Sequence, residues 1–355
     1  MNARAESELQ QLIAEPTVAT ATNADNDAWQ AFVVEHRDGT VFHSWVWRDI
    51  LAKTFRFKPH YLIARRGTRV VGVLPLMEVK TLLFGHSLVS LPFCSWAGPI
   101  AEDEGSLRAL DQAAVKLATQ LNVGHMEYRG VQPFPFERAG KDLYVCFSKI
   151  ISADHEVNLK AIPRKQRAMV RKGIDKQLKA SIEIVETFYP LYLDNVHRHG
   201  TPGVPMQFFR SMAQAFGKDC EIMVIRSESG KAVSGVLTLY WKNEVFPFYA
   251  GDTPAARDLA ANDFKYWAVM RRGVERGAEV FNYGRSKKGT GSYSFKRNWG
   301  FEPTELSYNY WMKSGGDIPN HNPSNPKYKI LINSWRKLPR RIVSIAGPVI
   351  VKGLG

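Results

Sequence analysis

A strand–turn–strand segment that occurs twice, with nearly the same ending, constrains the fold of this chain more than any other feature. Residues 61–76 and 222–239 each contain two runs rich in β-branched and aliphatic residues, separated by a polar turn with a glycine. This pattern predicts a β-hairpin in both places. The second strands read Gly72-Val-Leu-Pro-Leu76 and Gly235-Val-Leu-Thr-Leu239, which suggests that one hairpin is a copy of the other.

The order of elements after the two hairpins is also the same. Each hairpin is followed by an aromatic and glycine stretch, an amphipathic helix and a short strand-like run, and these runs are 126–129 and 281–284. A repeat of roughly 70 residues is too long for a solenoid unit and fits a duplicated domain. We therefore expect residues 45–130 to superpose on residues 208–284, with two unrelated hairpins as the alternative.

The length of 355 residues exceeds what a single hydrophobic core usually supports, so two domains are expected. The polar, aperiodic start predicts a flexible lead over residues 1–27. A first domain then covers residues 28–150, and a second covers residues 151–315 with a basic helical insert at 156–180. Residues 316–355 form a basic tail.

The charge of the chain is strongly positive and unevenly distributed. There are 48 Lys and Arg against 34 Asp and Glu, a net charge of +14. Such a balance indicates an anionic partner: the phosphates of a cofactor, a nucleic acid, a lipid diphosphate or a membrane leaflet. Much of the charge lies in the 156–180 insert and in the tail, which has no acidic residue after Asp317.

Cysteine usage and hydropathy exclude several classes of protein. Cys94, Cys146 and Cys220 stand far apart, without a CxxC pair or a histidine at ligand spacing, so we expect reduced thiols and no metal. The first residues lack the pattern of a secretory signal, and no apolar run approaches the ~18–20 residues of a spanning helix. These observations predict a cytoplasmic protein.

Residues 281–301 are the main candidates for chemistry. They join a strand-like run to a basic loop rich in Gly, Ser and Thr and then to an aromatic and basic run. A turn from a strand into a helix can present backbone N–H groups to a phosphate or an oxyanion, although neither a Walker A loop nor GxGxxG is present. The candidate substrate-binding residues are Arg285, Ser286, Lys287, Thr290, Tyr293, Phe295, Lys296 and Trp299.

In this hypothesis the cations surround anionic oxygens, and the aromatic rings stack on a base or a sugar. The alternative is a solvated loop that Phe295 and Trp299 anchor in the core.

A second group of candidates flanks the turn into the helix after the second hairpin. Amide formation needs a neutral amine and a stabilised oxyanion. Tyr249 and Asp252 are the catalytic candidates there and Asn262 is a further substrate-binding candidate, although Asp252 also suits a helix cap or a turn. No Ser-His-Asp or Cys-His pattern occurs and His43 is isolated, so direct attack by the amine without a covalent enzyme intermediate is expected.

The order Phe-Asn-Tyr-Gly-Arg-Ser-Lys-x-Gly-Thr-Gly-Ser-Tyr-x-Phe-Lys-x-x-Trp-Gly-Phe-x-Pro over 281–303 resembles FemAB-related proteins. Supporting matches are Gly72-Val-Leu-Pro-Leu76, Leu88-Val-Ser-Leu-Pro-Phe93 and Leu338-Pro, and the group associated with PEP-CTERM/exosortase systems of Gram-negative bacteria is the most similar. The resemblance covers nearly all of residues 40–355. It implies an α/β (α+β) chain of two tandem GNAT-like domains, with mixed, mostly antiparallel sheets flanked by helices.

The resemblance also implies a function and a place for some site residues. Arg285 and Ser286 match the Gly-Arg-Ser of the family, and Phe295-Lys296 matches its Phe-Lys segment near the donor. The implied reaction is acyl or aminoacyl transfer to an amine of a cell-envelope or exopolysaccharide precursor, glycan or lipid-linked, at the cytoplasmic face. We expect no DNA partner.

The donor implied by the resemblance is acyl-CoA or aminoacyl-tRNA. The chain lacks the heptads of a coiled-coil arm, which weakens the case for tRNA, and it lacks an R/QxxGxG/A sequence, which weakens the case for CoA. The alternative function is a non-catalytic RNA- or membrane-binding protein that retains the duplicated fold. Such a binder would tolerate conservative changes in the 281–301 loop.

The tail from Tyr328 to Lys352 alternates apolar residues with Lys and Arg and contains Trp335. Apolar area combined with cations suits an anionic membrane surface, which would make the protein peripheral at the inner face of the inner membrane. The alternative is a helix packed on the body of the protein with its basic residues outward.

Overall fold

The structure is a computed structural model that describes residues 14–82, 84–313, 318 and 326–353. The described chain separates into two compact units. Unit 1 contains residues 14–142 together with 306–313 and 318, and unit 2 contains residues 143–305 and 326–353.

The described part of the first 142 residues supplies nine strands and three α-helices. The strands are β1 (Thr17–Thr20), β2 (Lys58–Pro59), β3 (Leu62–Arg66), β4 (Arg69–Leu74), β5 (Met77–Thr81), β6 (Gly85–Val89), β7 (Ile100–Ala101), β8 (His125–Gly130) and β9 (Ala139–Lys141). The helices, counted over the described residues, are α1 (Asn26–Glu35), α2 (Val46–Phe55) and α3 (Glu104–Gln120).

The rest of the described chain continues with strands and helices of similar lengths. The strands are β10 (Tyr144–Ile150), β11 (Lys179–Ile182), β12 (Cys220–Arg226), β13 (Ala232–Trp241), β14 (Glu244–Asp252), β15 (Val280–Lys287), β16 (Pro303–Glu305) and β17 (Ser307–Met312). The helices are α4 (His155–Ala161), α5 (Arg164–Asp175), α6 (Val185–His199), α7 (Met206–Phe216), α8 (Ala261–Glu275), α9 (Gly291–Asn298), α10 (Pro326–Lys337) and α11 (Arg340–Val351).

The sheets of the two units are arranged differently. Unit 1 has a four-stranded sheet of order β1-β3-β4-β7 and a six-stranded sheet of order β2-β5-β6-β8-β17-β9. Unit 2 has one seven-stranded sheet of order β11-β12-β13-β14-β15-β10-β16. Most neighbours are antiparallel, and the pairs β6–β8 and β14–β15 are parallel.

The predicted duplication is confirmed by the order and pairing of the strands. Unit 2 contains β11, two helices, the antiparallel hairpin β12–β13, β14, a helix and β15, which is parallel to β14. Unit 1 contains β1, two helices, the hairpin β3–β4, β6, a helix and β8, which is parallel to β6, in the same order, and has the short strands β2, β5 and β7 in addition. The repeated hairpin holds the same place in each, since Leu62 pairs with Leu74 in β3–β4 and Cys220 pairs with Leu239 in β12–β13.

The Gly-Val-Leu-x-Leu motifs of the two hairpins differ at one position, and the second hairpin strands of the two units end differently there. Pro75 in the first copy corresponds to Thr238 in the second. Proline has no N–H to donate to a strand ladder, so a central strand rarely continues through it. Accordingly β4 ends at Leu74 and β5 begins at Met77, in another sheet, whereas β13 continues unbroken through Thr238.

The flexible lead predicted over residues 1–27 is wrong for its described part. Residues Thr17–Thr20 form β1, which pairs antiparallel with β3, and α1 begins at Asn26. The strand is short and its side chains are mostly exposed, so it produces no hydrophobic alternation in the sequence.

The domain boundary predicted at residue 150 is also wrong, because each unit is completed by a strand from beyond it. β10 pairs with β15 in the sheet of unit 2, from Tyr144 opposite Lys287 to Ile150 opposite Val280. β17 pairs with β8 in the sheet of unit 1, although the sequence places it after the whole second repeat. Strand partners this distant in sequence cannot be read from local patterns.

The basic insert predicted at 156–180 is helical over most of its length. It consists of α4 and α5, and its last two residues, Lys179 and Ala180, begin the edge strand β11. Gly173 of α5 lies against Phe264 of α8, where an added Cβ would be 2.7 Å from the Phe264 Cβ. The apolar side of α5 therefore faces α8.

Helices α6 and α8 cover opposite faces of the unit 2 sheet. Gly251 lies against the α6 backbone, since an added Cβ would be 2.4 Å from the Tyr192 nitrogen. An added Cβ at Gly273 of α8 would be 2.7 Å from the Val245 Cγ1. Both Gly251 and Val245 belong to β14. A bulge at Phe248 shifts the pairing with β13 and changes which side chains face each helix.

In the tail, α10 and α11 pack against α6. The His197 ring donates from Nε2 to the Trp335 carbonyl at 3.2 Å, and Arg340 forms an ion pair with Asp194. Trp335 is only 8% exposed. Helix α10 and one side of α11 therefore pack on the body of the protein, and membrane binding by the tail stays a prediction. In the described part of the chain, no helix is long and apolar enough to cross a membrane.

Candidate functional site: the fork between β14 and β15

The parallel strands β14 and β15 diverge soon after they meet. They pair only at Glu244 with Val280 and at Val245 with Phe281. Beyond this point β14 continues to Asp252 beside β13, and β15 continues to Lys287 beside β10. Ligands of open α/β sheets bind outside the carboxyl ends of parallel strands, where neighbouring strands separate. We call this region the fork.

Lys296 of α9 reaches into β15 just beyond the last parallel pair. Its Nζ donates to the carbonyls of Tyr283 at 2.7 Å, Gly284 at 3.1 Å and Arg285 at 3.0 Å. The side chain is buried, and this burial lowers the pKa of the ammonium from 10.5 to about 7, with a smaller contribution from the Arg285 charge. Lys296 therefore exchanges a proton near neutral pH.

A chain of three polar groups, of which Cys146 and Asn282 are buried and Glu244 is half-buried, lies next to Lys296. The Cys146 thiol donates to Asn282 Oδ1 at 3.5 Å, and Asn282 Nδ2 donates to Glu244 Oε2 at 3.2 Å. Burial raises the pKa of Glu244, and it raises the pKa of Cys146 to about 12. The thiol therefore stays protonated and is not a nucleophile.

Sequence reasoning missed Cys146, Asn282 and Glu244 as members of the site. Asn282 stands inside the recognised segment, but Cys146 comes from the other side of the predicted domain boundary. Only the pairing of β10 with β15 brings it here.

The first part of the predicted loop does gather at one end of β15. The Arg285 guanidinium lies over the Tyr144 ring at 4.7 Å, and the half-buried Lys287 has its pKa lowered by burial. Thr290 caps α9 by accepting from the Tyr293 nitrogen at 3.4 Å. The Ser292 hydroxyl contacts the buried Ser286 hydroxyl at 3.4 Å. A phosphate-binding role for Arg285 and Lys287 stays a prediction.

The structure contradicts the predicted roles of Lys296 and Trp299. Lys296 was expected to bind phosphate, but its donors are directed at three backbone carbonyls in the interior. Trp299 was expected to stack on a ligand, but it is fully buried and donates from Nε1 to Asp263 at 2.9 Å.

The rings of Phe295 and Tyr293 also pack inward. Phe295 lies 5.9 Å from the Trp299 ring, and Tyr293 lies edge-on to the buried Phe147 at 5.4 Å. The alternative in which aromatic residues anchor this segment in the core is therefore correct for Phe295 and Trp299.

The catalytic role predicted for Asp252 conflicts with its contacts. Its carboxylate accepts from the Lys265 ammonium at 2.8 Å and from the Ser234 hydroxyl. Lys265 has no exposed surface, so Asp252 is the counter-charge of a buried cation. The nearby Tyr249 packs edge-on against aromatic rings of α6 and α7, including Phe209 at 5.3 Å.

The third residue of that group, Asn262, is half-buried in the first turn of α8. It precedes Asp263, the acceptor of the Trp299 indole N–H. The turn that was expected to hold catalytic groups is therefore held together by buried polar contacts.

Unit 1 contains a cavity with a volume of about 700 Å³, and most of its wall comes from Gly98–Glu104 and 129–135. These segments follow the parallel pair β6–β8, so the cavity corresponds to the fork of unit 2. The sequence repeat could have located it, because the aromatic and glycine stretch at 93–98 is the counterpart of 248–251.

Two polar side chains in the cavity wall, Arg129 and His43, are already engaged. Arg129 is buried and bonds to Glu127 at 2.8 Å and to the Cys94 carbonyl at 3.1 Å. His43 donates from Nε2 to the Gly98 carbonyl at 3.0 Å, and burial lowers its pKa to about 4, so it stays neutral. His43 is therefore a buried, neutral residue of the core. No group of three metal-ligating side chains occurs among the described residues.

A second positive feature of unit 2 is the outer face of α5. Arg164 and Arg171 are exposed and Arg167 is half-exposed, at positions i, i+7 and i+3 of one helical row. Lys165 and Lys172 lie on the neighbouring row and are exposed as well. Such a row can follow a chain of phosphates.

A family model described as an acetyltransferase (GNAT) domain matches residues 159–297. By sequence, no curated protein matches the chain. Among solved structures the chain is similar to FemX, with 15% identity and a TM-score of 0.61 over 82% of this chain and 96% of that one.

Two further solved structures have comparable similarity. A tandem GNAT protein from the clavulanic acid biosynthesis pathway gives 10% identity and a TM-score of 0.56 over 85% of this chain and 100% of that one. The C-terminal domain of a putative lysylphosphatidylglycerol synthetase from Agrobacterium fabrum gives 14% identity and a TM-score of 0.54, over 81% and 92%. At these identities the likeness establishes the fold, which is the tandem GNAT arrangement expected from the sequence.

Proposed function

We propose that this chain, in which residues 159–297 match an acetyltransferase (GNAT) domain model and which has a FemX-like tandem fold, is an acyltransferase that joins an activated acyl or aminoacyl group to a primary amine. The reaction takes place at the fork of unit 2. The attacking nitrogen forms a bond to the donor carbonyl carbon, the bond from that carbon to the leaving sulfur or oxygen breaks, and one proton moves from the amine to the leaving group.

The observation that carries this proposal is Lys296 at the fork. An attacking amine must lose a proton, and a group with a pKa near the working pH is the most effective acceptor. Burial lowers the pKa of Lys296 to about 7. Its ammonium donates to carbonyls of β15 from Tyr283 to Arg285, two to four residues beyond Phe281 of the last parallel pair. A neutral amine has only two N–H donors, so neutral Lys296 gives up one of its three carbonyl contacts and gains a lone pair. With this lone pair it takes the proton from the attacking amine and returns it to the leaving group.

For the donor, the GNAT fold implies acyl-CoA in general. The peptide groups of β14 and β15 beyond Val245 and Phe281 are not paired with each other. An extended chain with amide groups, such as the pantetheine of CoA, suits an opening of this kind.

For the acceptor, the proposal rests on the resemblance of residues 281–303 to FemAB-related proteins of PEP-CTERM/exosortase systems. We propose an amine of a glycan or lipid-linked precursor of the cell envelope or exopolysaccharide, modified at the cytoplasmic face.

The test is a transfer assay with acetyl-CoA as donor and glucosamine as the amine probe, followed by mass spectrometry of the product. The wild type should form the N-acetyl product, and kcat/KM should rise as pH increases through about 7, because neutral Lys296 is the acceptor. Lys296→Met should lower kcat/KM by about 10²-fold or more while the affinity for acetyl-CoA is kept.

Arg297→Met is the matched control, because Arg297 is the next residue of α9 and its side chain is exposed. It should retain the wild-type rate. A folded Lys296→Met enzyme with the wild-type rate and pH profile would show that Lys296 has only a structural role. Absence of transfer by the wild type from acetyl-CoA and from aminoacyl-tRNA, to every amine probe, would refute the enzyme assignment.

Aminoacyl-tRNA is a second candidate donor because of the basic face of α5. This face carries five cations, and its opposite side is fixed against α8 by Gly173. Replacing acetyl-CoA by aminoacyl-tRNA in the same assay distinguishes the two donors.

A further inference from the structure

Helix α11 has two apolar sides, and only one of them is covered. Val343, Gly347 and Val351 point towards the body of unit 2, and Val343 and Val351 are 1% and 6% exposed. An added Cβ at Gly347 would lie 3.3 Å from the Gly203 carbonyl oxygen, so the backbones approach closely there.

The opposite side of α11 is apolar and open. Ile342, Ile345 and Val349 are 47%, 76% and 68% exposed. Their spacing of three and four residues places them on one helical stripe, about 180° from Val343, Gly347 and Val351. We call Ile342, Ile345 and Val349 the outer stripe. Contiguous apolar surface of this kind on a folded protein marks an interaction site.

The charge around the outer stripe indicates what covers it. Residues 326–353 contain seven cations and no acidic residue. Arg340 is used in the ion pair with Asp194 and Arg336 donates to the His199 carbonyl, so both hold the tail on α6. Lys337 and Lys352, at the ends of α10 and α11, form no ion pair with any side chain that the structure describes.

We propose that α11 is an interfacial membrane helix, and that the outer stripe inserts at the headgroup–acyl boundary of an anionic bilayer while Lys337 and Lys352 contact lipid phosphates. An apolar stripe flanked by cations is the combination such a helix needs. The inner side of α11 stays packed on unit 2, so docking needs no rearrangement of the tail. This surface is separate from the fork and does not depend on the reaction there.

The experiment is flotation of the full chain with vesicles of phosphatidylcholine, with and without phosphatidylglycerol, at moderate salt. The wild type should float only with the anionic vesicles. Ile345→Ser combined with Val349→Ser should lower the partition coefficient roughly tenfold or more, because most of the inserted apolar area is removed. Lys337→Gln combined with Lys352→Gln should produce a similar loss that shrinks as salt increases.

The control pair is Ile182→Ser with Ile184→Ser. These side chains are 49% and 65% exposed elsewhere in unit 2, so a similar apolar area is removed. The control should float like the wild type, and thermal unfolding should show all variants folded. The proposal fails if the wild type does not float, or if the stripe variant floats as well as the wild type. It also fails if sedimentation shows that the stripe holds two copies of the chain together.

Discussion

At the scale of single residues, Lys296 should make stability depend on pH. Its folded-state pKa is lowered from 10.5 to about 7, so between these values the unfolded chain binds more protons than the folded one. The free energy of unfolding should therefore rise with pH through this window, by about 2–3 kcal/mol between pH 7 and pH 9 from this group. Denaturant titrations of wild type and Lys296→Met across that range test this, since the variant should lack the increase.

The Asp252–Lys265 pair yields a second prediction at the residue scale. Asp252→Asn leaves the fully buried Lys265 without its counter-charge and should destabilise the fold by about 3 kcal/mol. Lys265→Met should also destabilise, and the double variant should cost less than the sum of the two. Chemical unfolding of the four proteins measures this coupling, with the exposed Asp258→Asn as the control. A catalytic Asp252 would instead lose activity at unchanged stability.

At the scale of elements, the outer face of α5 predicts salt-dependent binding of a polyanion. Deacylated bulk tRNA is the probe, and its affinity for the protein should fall as the salt concentration increases. Arg164→Gln with Arg171→Gln removes two cations from one helical row and should reduce the salt slope by about two. Lys218→Gln with Lys231→Gln removes the same charge from exposed positions outside α5 and should have less effect. If both double variants lose the same affinity for tRNA, the net charge of the protein, and not α5, attracts the probe.

At the scale of the whole molecule, unit 1 is expected to need β17, which follows all the strands of unit 2 in the sequence. A chain ending at Glu305 lacks β17, which lies between β8 and β9 in the sheet of unit 1. That chain should lose hydrogen-exchange protection in β8, because an interior strand becomes an unpaired edge. A chain ending at Met312 keeps β17, lacks the same tail helices, and should retain the protection. Equal protection of β8 in both would show that unit 1 does not need β17.

Much of the fold could be predicted from residues close together in the sequence. The repeated Gly-Val-Leu motif locates equivalent strands in both units, and the proline in one copy explains why the sheet of unit 1 divides at residue 75. The candidate site was predicted less well. Phe295 and Trp299 look like stacking residues in a loop, but their burial depends on α8, which supplies Asp263 and part of the surrounding core.

The sequence by itself determined the duplication and the tandem GNAT-like architecture, and it pointed to the segment of the candidate site, because these depend on local periodicity and on a recognisable order of residues. The tertiary structure decided which side chains come together at the candidate site and where the units end. Cys146 meets Asn282 across 136 positions of sequence, through a strand pair that crosses the predicted boundary. The pKa of Lys296 depends on its desolvation in the folded chain. The role of Asp252 depends on Lys265, the cation that is buried beside it. Neither burial nor long-range pairing leaves a local pattern in a single sequence, so only the folded chain assigns them.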